Sequence, residues 1–118
     1  MKLDNIVKKP WGSYKDLDRN PFQVIKLITI FPNQRFSLQK HQKREEFWYI
    51  LSGTGIITLD SETKEVSPKD HFHIPVGMIH RLQGGIEGIN FLEVQQGECE
   101  ETDIIRLEDD YNRVTEGL

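Results

Sequence analysis

Gln39, His41, Glu46 and His80 are the residues of this chain whose types and spacing could do chemistry together. Imidazole nitrogen, carboxylate and amide oxygen are all donors for a divalent cation. A cation held by three or four protein groups keeps positions open for a substrate. The stretch 36–53, FSLQKHQKREEFWYILSG, reads as strand, tight turn, strand. A period of two puts Gln39 and His41 on one face of the first strand. Gln42-Lys43-Arg44-Glu45 makes the reversal, and Glu46 opens a second strand, 47–51, dense in aromatic and branched side chains. The two strands are expected to pair and bring the donors together. Glu46 shares its face with Trp48 and Ile50, so a solvent-facing Glu46 would also expose an aromatic row. His80 follows the Pro75-Val76-Gly77 turn, where the rim of a pocket would lie. The competing reading is an exposed polar strand edge beside a charged turn. Nitrogen and oxygen donors without thiolate suit zinc, manganese, iron, nickel or cobalt, and ligand type alone does not choose among them. His71 and His73 alternate with Phe72 and Ile74 and are expected to face away from the core.

Other polar residues interrupt apolar rows. Lys26 breaks the row Val24, Ile28, Ile30 in FQVIKLITIF (22–31). Either its stem lies along the core with the ammonium at a barrel mouth, or it places a cation in the pocket against substrate. Arg44 and Arg81 flank two of the metal-ligand candidates, and a planar guanidinium fork fits phosphate. Surface ion pairs are the other reading for both. Arg81 adjoins His80 on a strand, so its side chain should point the opposite way. Glu93 and Gln95 share a face with Phe91, and Leu92 and Val94 share the other. If Phe91 lines the pocket, Glu93 is a candidate base for proton transfer; if the apolar pair packs inside, Glu93 faces solvent.

The elements that must position these residues are short strands. Turn signals recur at Arg19-Asn20-Pro21, Pro32-Asn33, Gly53-Thr54-Gly55, 61–64, Ser67-Pro68-Lys69, Pro75-Val76-Gly77, Gly84-Gly85 and Gly97. Between them lie strands at 11–18, 22–31, 36–41, 47–51, 56–60, 65–66, 70–74, 80–82 and 89–95. This pattern predicts an all-β sandwich or barrel. Only the tail, 103–117, is read as helical. A chain of 118 residues is expected to form one domain, 1–118, with an N-terminal strand region at 1–21 and a C-terminal tail at 103–118. A net charge of −4 disfavours a general nucleic-acid-binding surface. Cys99 is the only cysteine, so neither an internal disulfide nor a thiolate metal site is expected. The start, MKLDNIVKKPWGS, has no apolar leader, and no run approaches the roughly 20 apolar residues of a membrane span. A cytoplasmic protein without a membrane partner is the expectation.

The two motifs resemble the cupin signature: Gln39-x-His41-x4-Glu46-x6-Gly53, then Pro75-x-Gly77-x2-His80. The cupin pattern usually begins with histidine where Gln39 stands. Its second motif usually begins with glycine and carries Asn near the position of Gln83. Further segments are similar to one family: KPWGSY (9–14), IKLITIFP (25–32), SLQ-x-H (37–41), RxE-x-W (44–48), IP-x5-HR (74–81), EVQ-x-G (93–97) and DIIRLEDDYNR (103–113). Together, over residues 8–113, they resemble the type II mannose-6-phosphate isomerase cupin, also found as the C-terminal domain of bifunctional mannose-1-phosphate guanylyltransferases. The resemblance implies a double-stranded β-helix, or jelly-roll barrel. It implies Gln39, His41, Glu46 and His80 as ligands of a divalent metal, zinc before the others. Guanylyl transfer would need a further Gly-rich nucleotide-binding domain and is not expected of these residues alone. Members commonly carry three histidines at the turn and another after the motif glutamate. Here the residues are His41-Gln42-Lys43 and Phe47.

The implied activity is interconversion of mannose 6-phosphate and fructose 6-phosphate through an enediol. Glu93 and Lys26 are the catalytic candidates, and Arg44, Arg81 and Lys26 the substrate contacts. A non-catalytic sugar-binding or regulatory cupin is the alternative, motivated by the absent histidines. Another metal-dependent cupin enzyme, a dioxygenase or epimerase, is a third. A small-molecule sugar phosphate is the expected partner. The fold implies a homodimer with a contact near 11–18.

Overall fold

The computed structural model describes residues 5–114. Every regular element among them is a strand: β1 (Ile6–Lys9), β2 (Gly12–Asn20), β3 (Gln23–Ile30), β4 (Leu38–Lys40), β5 (Arg44–Leu59), β6 (Glu62–Val66), β7 (His71–Ile74), β8 (His80–Gly97) and β9 (Ile105–Glu108). The all-β expectation holds. Alternation does what the sequence pattern demands, most cleanly in β3. There Val24, Lys26, Ile28 and Ile30 are buried while the residues between them are half-exposed.

β5 and β8 organise the rest. They run antiparallel along their lengths, from Arg44 opposite Gly97 to Leu59 opposite His80. In one half, residues 44–50 pair with 91–97, with β7 on the far side of β5 and β3, β2 and β1 continuing beyond β8. In the other half, residues 55–59 pair with 80–84, with β6 on one side and β4 and β9 on the other. One sheet thereby curls over itself. Trp11, Ile28, Ile30, Phe36, Trp48, Ile50, Ile57, Val66, Ile74, Leu82, Ile89 and Phe91 form the core between its halves.

Four local expectations are corrected. The glycines at 53–55 and 84–85 do not end strands. The ladder continues through them with register shifts between Ile50 and Ser52 and between Gly53 and Gly55. They are the bends where two long strands pass from one half of the barrel to the other. The strands on either side of 42–43 do not pair with each other, because β4 hydrogen-bonds to β8 and β9 while β5 lies on the other side of β8. The loop expected at 61–64 tightens to Asp60-Ser61, with Asp60 at φ 53° and Leu59 opposite Glu62. The tail is not helical where it is described. β9 satisfies the open edge of β4, with Lys40 opposite Ile105 and Gln39 opposite Arg106. Residues 115–117 of the expected helix lie outside the described residues. No helix long and apolar enough to cross a membrane is present among the described residues.

Candidate metal centre

His41 follows β4 directly, Glu46 is the third residue of β5, and His80 opens β8. The three side chains are buried, and one donor atom from each lies within 4.8 Å of the others. Gln39 completes the group, its amide Nε2 standing 3.5 Å from Nε2 of both His41 and His80. β8 is the common scaffold. It carries His80, pairs Gln39 with that residue, and pairs Gln95 with Glu46.

Hydrogen bonding fixes which imidazole nitrogen faces the centre. His41 Nδ1 lies 2.6 Å from the Asp103 carbonyl, and His80 Nδ1 lies 3.0 Å from the Met78 carbonyl. A carbonyl only accepts, so Nδ1 carries the proton and Nε2 presents a lone pair. Burial, with the Arg44 guanidinium and the His80 imidazole beside it, pushes His41 down to about 3. Burial, between Phe36 and Trp48, pushes His80 down to about 4. Both rings are therefore neutral at pH 7, the state a metal requires.

Glu46 meets these lone pairs with its own. Its Oε2 is 3.2 Å from His41 Nε2 and its Oε1 is 3.8 Å from His80 Nε2. The donors now facing these acceptors are the Gln39 amide, 3.5 Å from both imidazoles, and Arg44 Nη2, 3.4 Å from His41 Nε2; a cation between the three would satisfy them together. Bonds of about 2.0–2.2 Å to a first-row cation put neighbouring donors roughly 3.0–3.5 Å apart. The 3.2 Å pair lies in that range and the 3.8 Å pair just outside it, so the donors suit a divalent ion with a small inward shift of the side chains. The Gln39 amide can turn its oxygen inward, because its present partner, Ser37 Oγ at 2.6 Å, is a hydroxyl that gives or takes a hydrogen bond. Arg44 Nε at 3.0 Å and Trp48 Nε1 at 3.0 Å hold the two Glu46 oxygens in place.

The centre opens into a cavity of about 180 Å³. Gln39 and His41 line it together with Glu93, Gln95 and Lys26. Phe91, Glu93 and Gln95 all point inward, the arrangement in which Glu93 can act on a ligand. Glu93 accepts from Trp48 Nε1 at 3.1 Å and Gln95 Nε2 at 2.9 Å. Burial, and then the Glu46 carboxylate beside it, raises Glu93 to about 7. Gln95 is 1% exposed, and its second amide atom, Oε1, has no partner among the described residues. Such a buried acceptor is costly unless something donates to it. Lys26 reaches in from β3, with Nζ 2.9 Å from Glu101 Oε1 and 3.9 Å from the Tyr14 ring centre.

The structure brings Gln39, His41, Glu46, His80, Glu93, Lys26 and Arg44 together. It does not bring Arg81. That side chain is buried on the other face of β8, donating to the Phe36 carbonyl at 3.0 Å and to Glu108 Oε1 at 3.3 Å. The two-residue alternation beside His80 sends it there. Arg44 is in the cavity wall, but its Nε is committed to Glu46. His71 and His73 are exposed, His73 stacked 4.7 Å from Phe47 and bonded to Glu45.

Sequence reasoning missed the closing segment. The Asp103 carboxylate accepts from the backbone N–H groups of Gln42 and Lys43, both at 2.9 Å, while its carbonyl holds His41. Lys9, Arg106 and Arg113 line the cavity too. Arg106 lies opposite Gln39 only because β9 pairs with β4, a neighbour relation that no local pattern signals.

The chain is 40% identical over 112 residues to alginate biosynthesis protein AlgA of Pseudomonas aeruginosa, covering 93% of this chain and 23% of that protein. It is 36% identical over 110 residues to mannose-1-phosphate guanylyltransferase ManC of Salmonella typhimurium, covering 92% and 23%. The chain thus spans under a quarter of the length of these curated relatives. Among solved structures, oxalate decarboxylase from Bacillus subtilis superposes with a TM-score of 0.77 at 20% identity, over 86% of this chain and 29% of that one. KdgF from Halomonas sp. does so with 0.73 at 14%, over 80% and 88%. At such identities the likeness is one of fold, and the fold is the cupin barrel. Residues 1–109 match the family described as mannose-6-phosphate isomerase C-terminal, and the chain belongs to that family.

Proposed function

We propose that this chain is a metal-dependent sugar-phosphate isomerase that interconverts mannose 6-phosphate and fructose 6-phosphate, with zinc as its metal. The observation that carries the reading is the convergence of two imidazole Nε2 atoms and a carboxylate within 4.8 Å of one another, His41 among them lining a cavity that Glu93 and Lys26 also line. Family membership and the sugar-phosphate relatives point to the same substrate class.

Gln39, His41, Glu46 and His80 would hold the metal. When bound, it would polarise the substrate carbonyl and offset the negative charge that develops on the oxygens. The residues of the chain do the rest. Glu93 removes the proton from C2 of the open-chain aldose and returns it to C1, while the hydroxyl proton on O2 passes to O1; no atom is gained or lost. Trp48 Nε1 and Gln95 Nε2 orient the Glu93 carboxylate for this exchange. The unpartnered Gln95 Oε1 suits a sugar hydroxyl. Lys26, held by Glu101 and Tyr14, places a cation beside the substrate oxygens.

The replaced histidine positions motivated a non-catalytic alternative. Gln42 and Lys43 are exposed, and Phe47 lies on the outer face of β5, stacked on His73. None of the three side chains lines the cavity, so the alternative draws no support from them. Coupled detection of fructose 6-phosphate with zinc-loaded protein tests the reading. Turnover is expected, with a loss of at least about a hundredfold in Glu46→Gln; wild-type turnover no greater than that of Glu46→Gln would sink it.

A further inference from the structure

The sheet that lines the cavity with one face is apolar on its other face as well. Between the buried residues of β3 stand Ile25 and Leu27, in β8 Leu92 and Val94, and in β5 Phe47 and Tyr49. The ladders set these side chains in two neighbouring rows. One runs Lys15, Leu27, Leu92, Tyr49, His71, and the next Asp18, Ile25, Val94, Phe47, His73. Phe47 is 39% exposed and Tyr49 43%, and the four aliphatic residues are half-buried. A depression of about 310 Å³ opens between Phe47, Tyr49, His71, His73, Leu92 and Val94. Polar rows close the patch at both ends. At one end Thr29 donates to Asn90 at 2.7 Å and Asn90 to Ser52 at 2.8 Å. At the other, Gln96 donates to Gln23 at 3.3 Å, and Glu45 lies 2.7 Å from His73. An antiparallel sheet with one wet face normally alternates to polar residues there. An apolar centre inside a hydrogen-bonded rim is instead the anatomy of an interface.

We infer that this outer face is the contact between two copies of the chain, related by a two-fold axis lying across the strands. Charge and size both point to a second copy. β2 carries Lys15 at the end of one apolar row and Asp18 at the end of the next, both on the outer face. An axis running across the strands between the rows exchanges them, so Lys15 of each copy meets Asp18 of the other. The four rows hold three to five outward side chains each. Together they approach the roughly 20 residues a side at the lower end of a standard interface. β2 supplies only the rim, so the contact expected near 11–18 extends across β3, β8 and β5. It lies behind the strands that carry Lys26, Glu46 and Glu93, whose side chains point the other way, and the cavity stays open.

Sedimentation of the full chain over a dilution series tests the contact. Neither zinc nor sugar phosphate is needed, so the outcome is separate from that of the isomerase reading. A species of twice the chain mass is expected, dissociating on dilution. Tyr49→Glu puts a charge at the centre of the face and is expected to weaken the dimer by at least about thirtyfold. Ile86→Glu should leave it unchanged, because Ile86 is 80% exposed but sits at the corner of β8, outside the rows. Lys15→Glu and Asp18→Lys are each expected to weaken the dimer by about fivefold, and the double exchange to restore it. Recovery of that kind requires the two positions to meet across the axis. Both lie at the rim, so they carry the test if Tyr49→Glu fails to fold. A monomer at every concentration, or a dimer indifferent to Tyr49→Glu and to both charge reversals, overturns the inference.

Discussion

His41 shows how much of the centre depends on a residue that binds no metal. Its Nδ1 proton goes to the Asp103 carbonyl, and the Asp103 carboxylate holds the two amides that follow His41. One residue thus sets both the tautomer of a ligand and the path of the loop leaving it. Asp103→Asn keeps the shape but offers one acceptor oxygen and an NH2 group to two N–H donors, so one amide loses its partner. The expected result is zinc affinity lowered by about ten- to a hundredfold, read by competition with a chromophoric chelator. Unchanged affinity would mean that the 42–43 loop holds its own shape. At this scale alternation was a reliable guide. Glu46 with Trp48, Lys26 with Ile28, and Glu93 with Phe91 all face inward because a period of two left them no other face. The same rule turns Arg81 away. Lys9, Arg106 and Arg113 were not legible, because their convergence depends on which strands are neighbours, and no local pattern encodes that.

The tail from 103, expected to be helical, works instead as a strap together with the residues that follow β8. A run such as Glu100-Glu101-Thr102-Asp103 has little to bury by itself, so periodicity says nothing about it. Its placement comes from the unpaired edge of β4 and from charges elsewhere in the fold. Glu101 accepts from Lys26 of β3 at 2.9 Å and from Arg19 of β2 at 2.8 Å. Although burial works in the opposite direction, these two cations hold its carboxyl down at about 2, from an ordinary 4.5. A carboxylate with a depressed folded-state pKa stabilises fully above its unfolded value. That contribution fades as the pH falls through the folded value. The window is therefore about pH 4.5 to 2. Glu101→Gln is expected to melt lower than wild type at pH 7 and to lose less stability across that window. With half of the Glu101 side chain exposed, the difference at pH 7 is about 1 kcal/mol or less. Parallel melting curves for the two proteins between pH 5 and 2 would show that the strap is not held by this carboxylate.

For the whole molecule, the decisive feature is that β5 and β8 are each one strand where glycines suggested two. A local reading sees Gly53-Thr54-Gly55 and Gly84-Gly85 as stops. Only the ladder shows that residues 53 and 55 stay paired, with 89 and 84, as the sheet turns its corner. Gly53 sits at φ +83°, and a methyl group there would meet the Gly88 carbonyl oxygen at 2.2 Å. Gly88, at φ +75°, would itself drive a methyl to 2.5 Å from the Ile30 carbonyl oxygen. Backbones from β3, β5 and β8 thus touch with no room for a side chain, and the two halves of the barrel are set there. Gly77 is the natural control. It has the same φ of +83°, but a methyl group there meets nothing within 4 Å. Gly77→Ala should therefore cost only the left-handed backbone strain, about 1–2 kcal/mol. Gly53→Ala carries that strain plus displacement of backbone in a closely packed corner, for roughly 3–5 kcal/mol in all. Thermal denaturation of the two variants separates the contributions. A clearly lower melting temperature for Gly53→Ala places the cost in the contact between strands, because the backbone angle is common to both. Equal melting temperatures would mean that the corner can open to admit a side chain, and that β5 and β8 are joined less tightly than their continuous ladder implies.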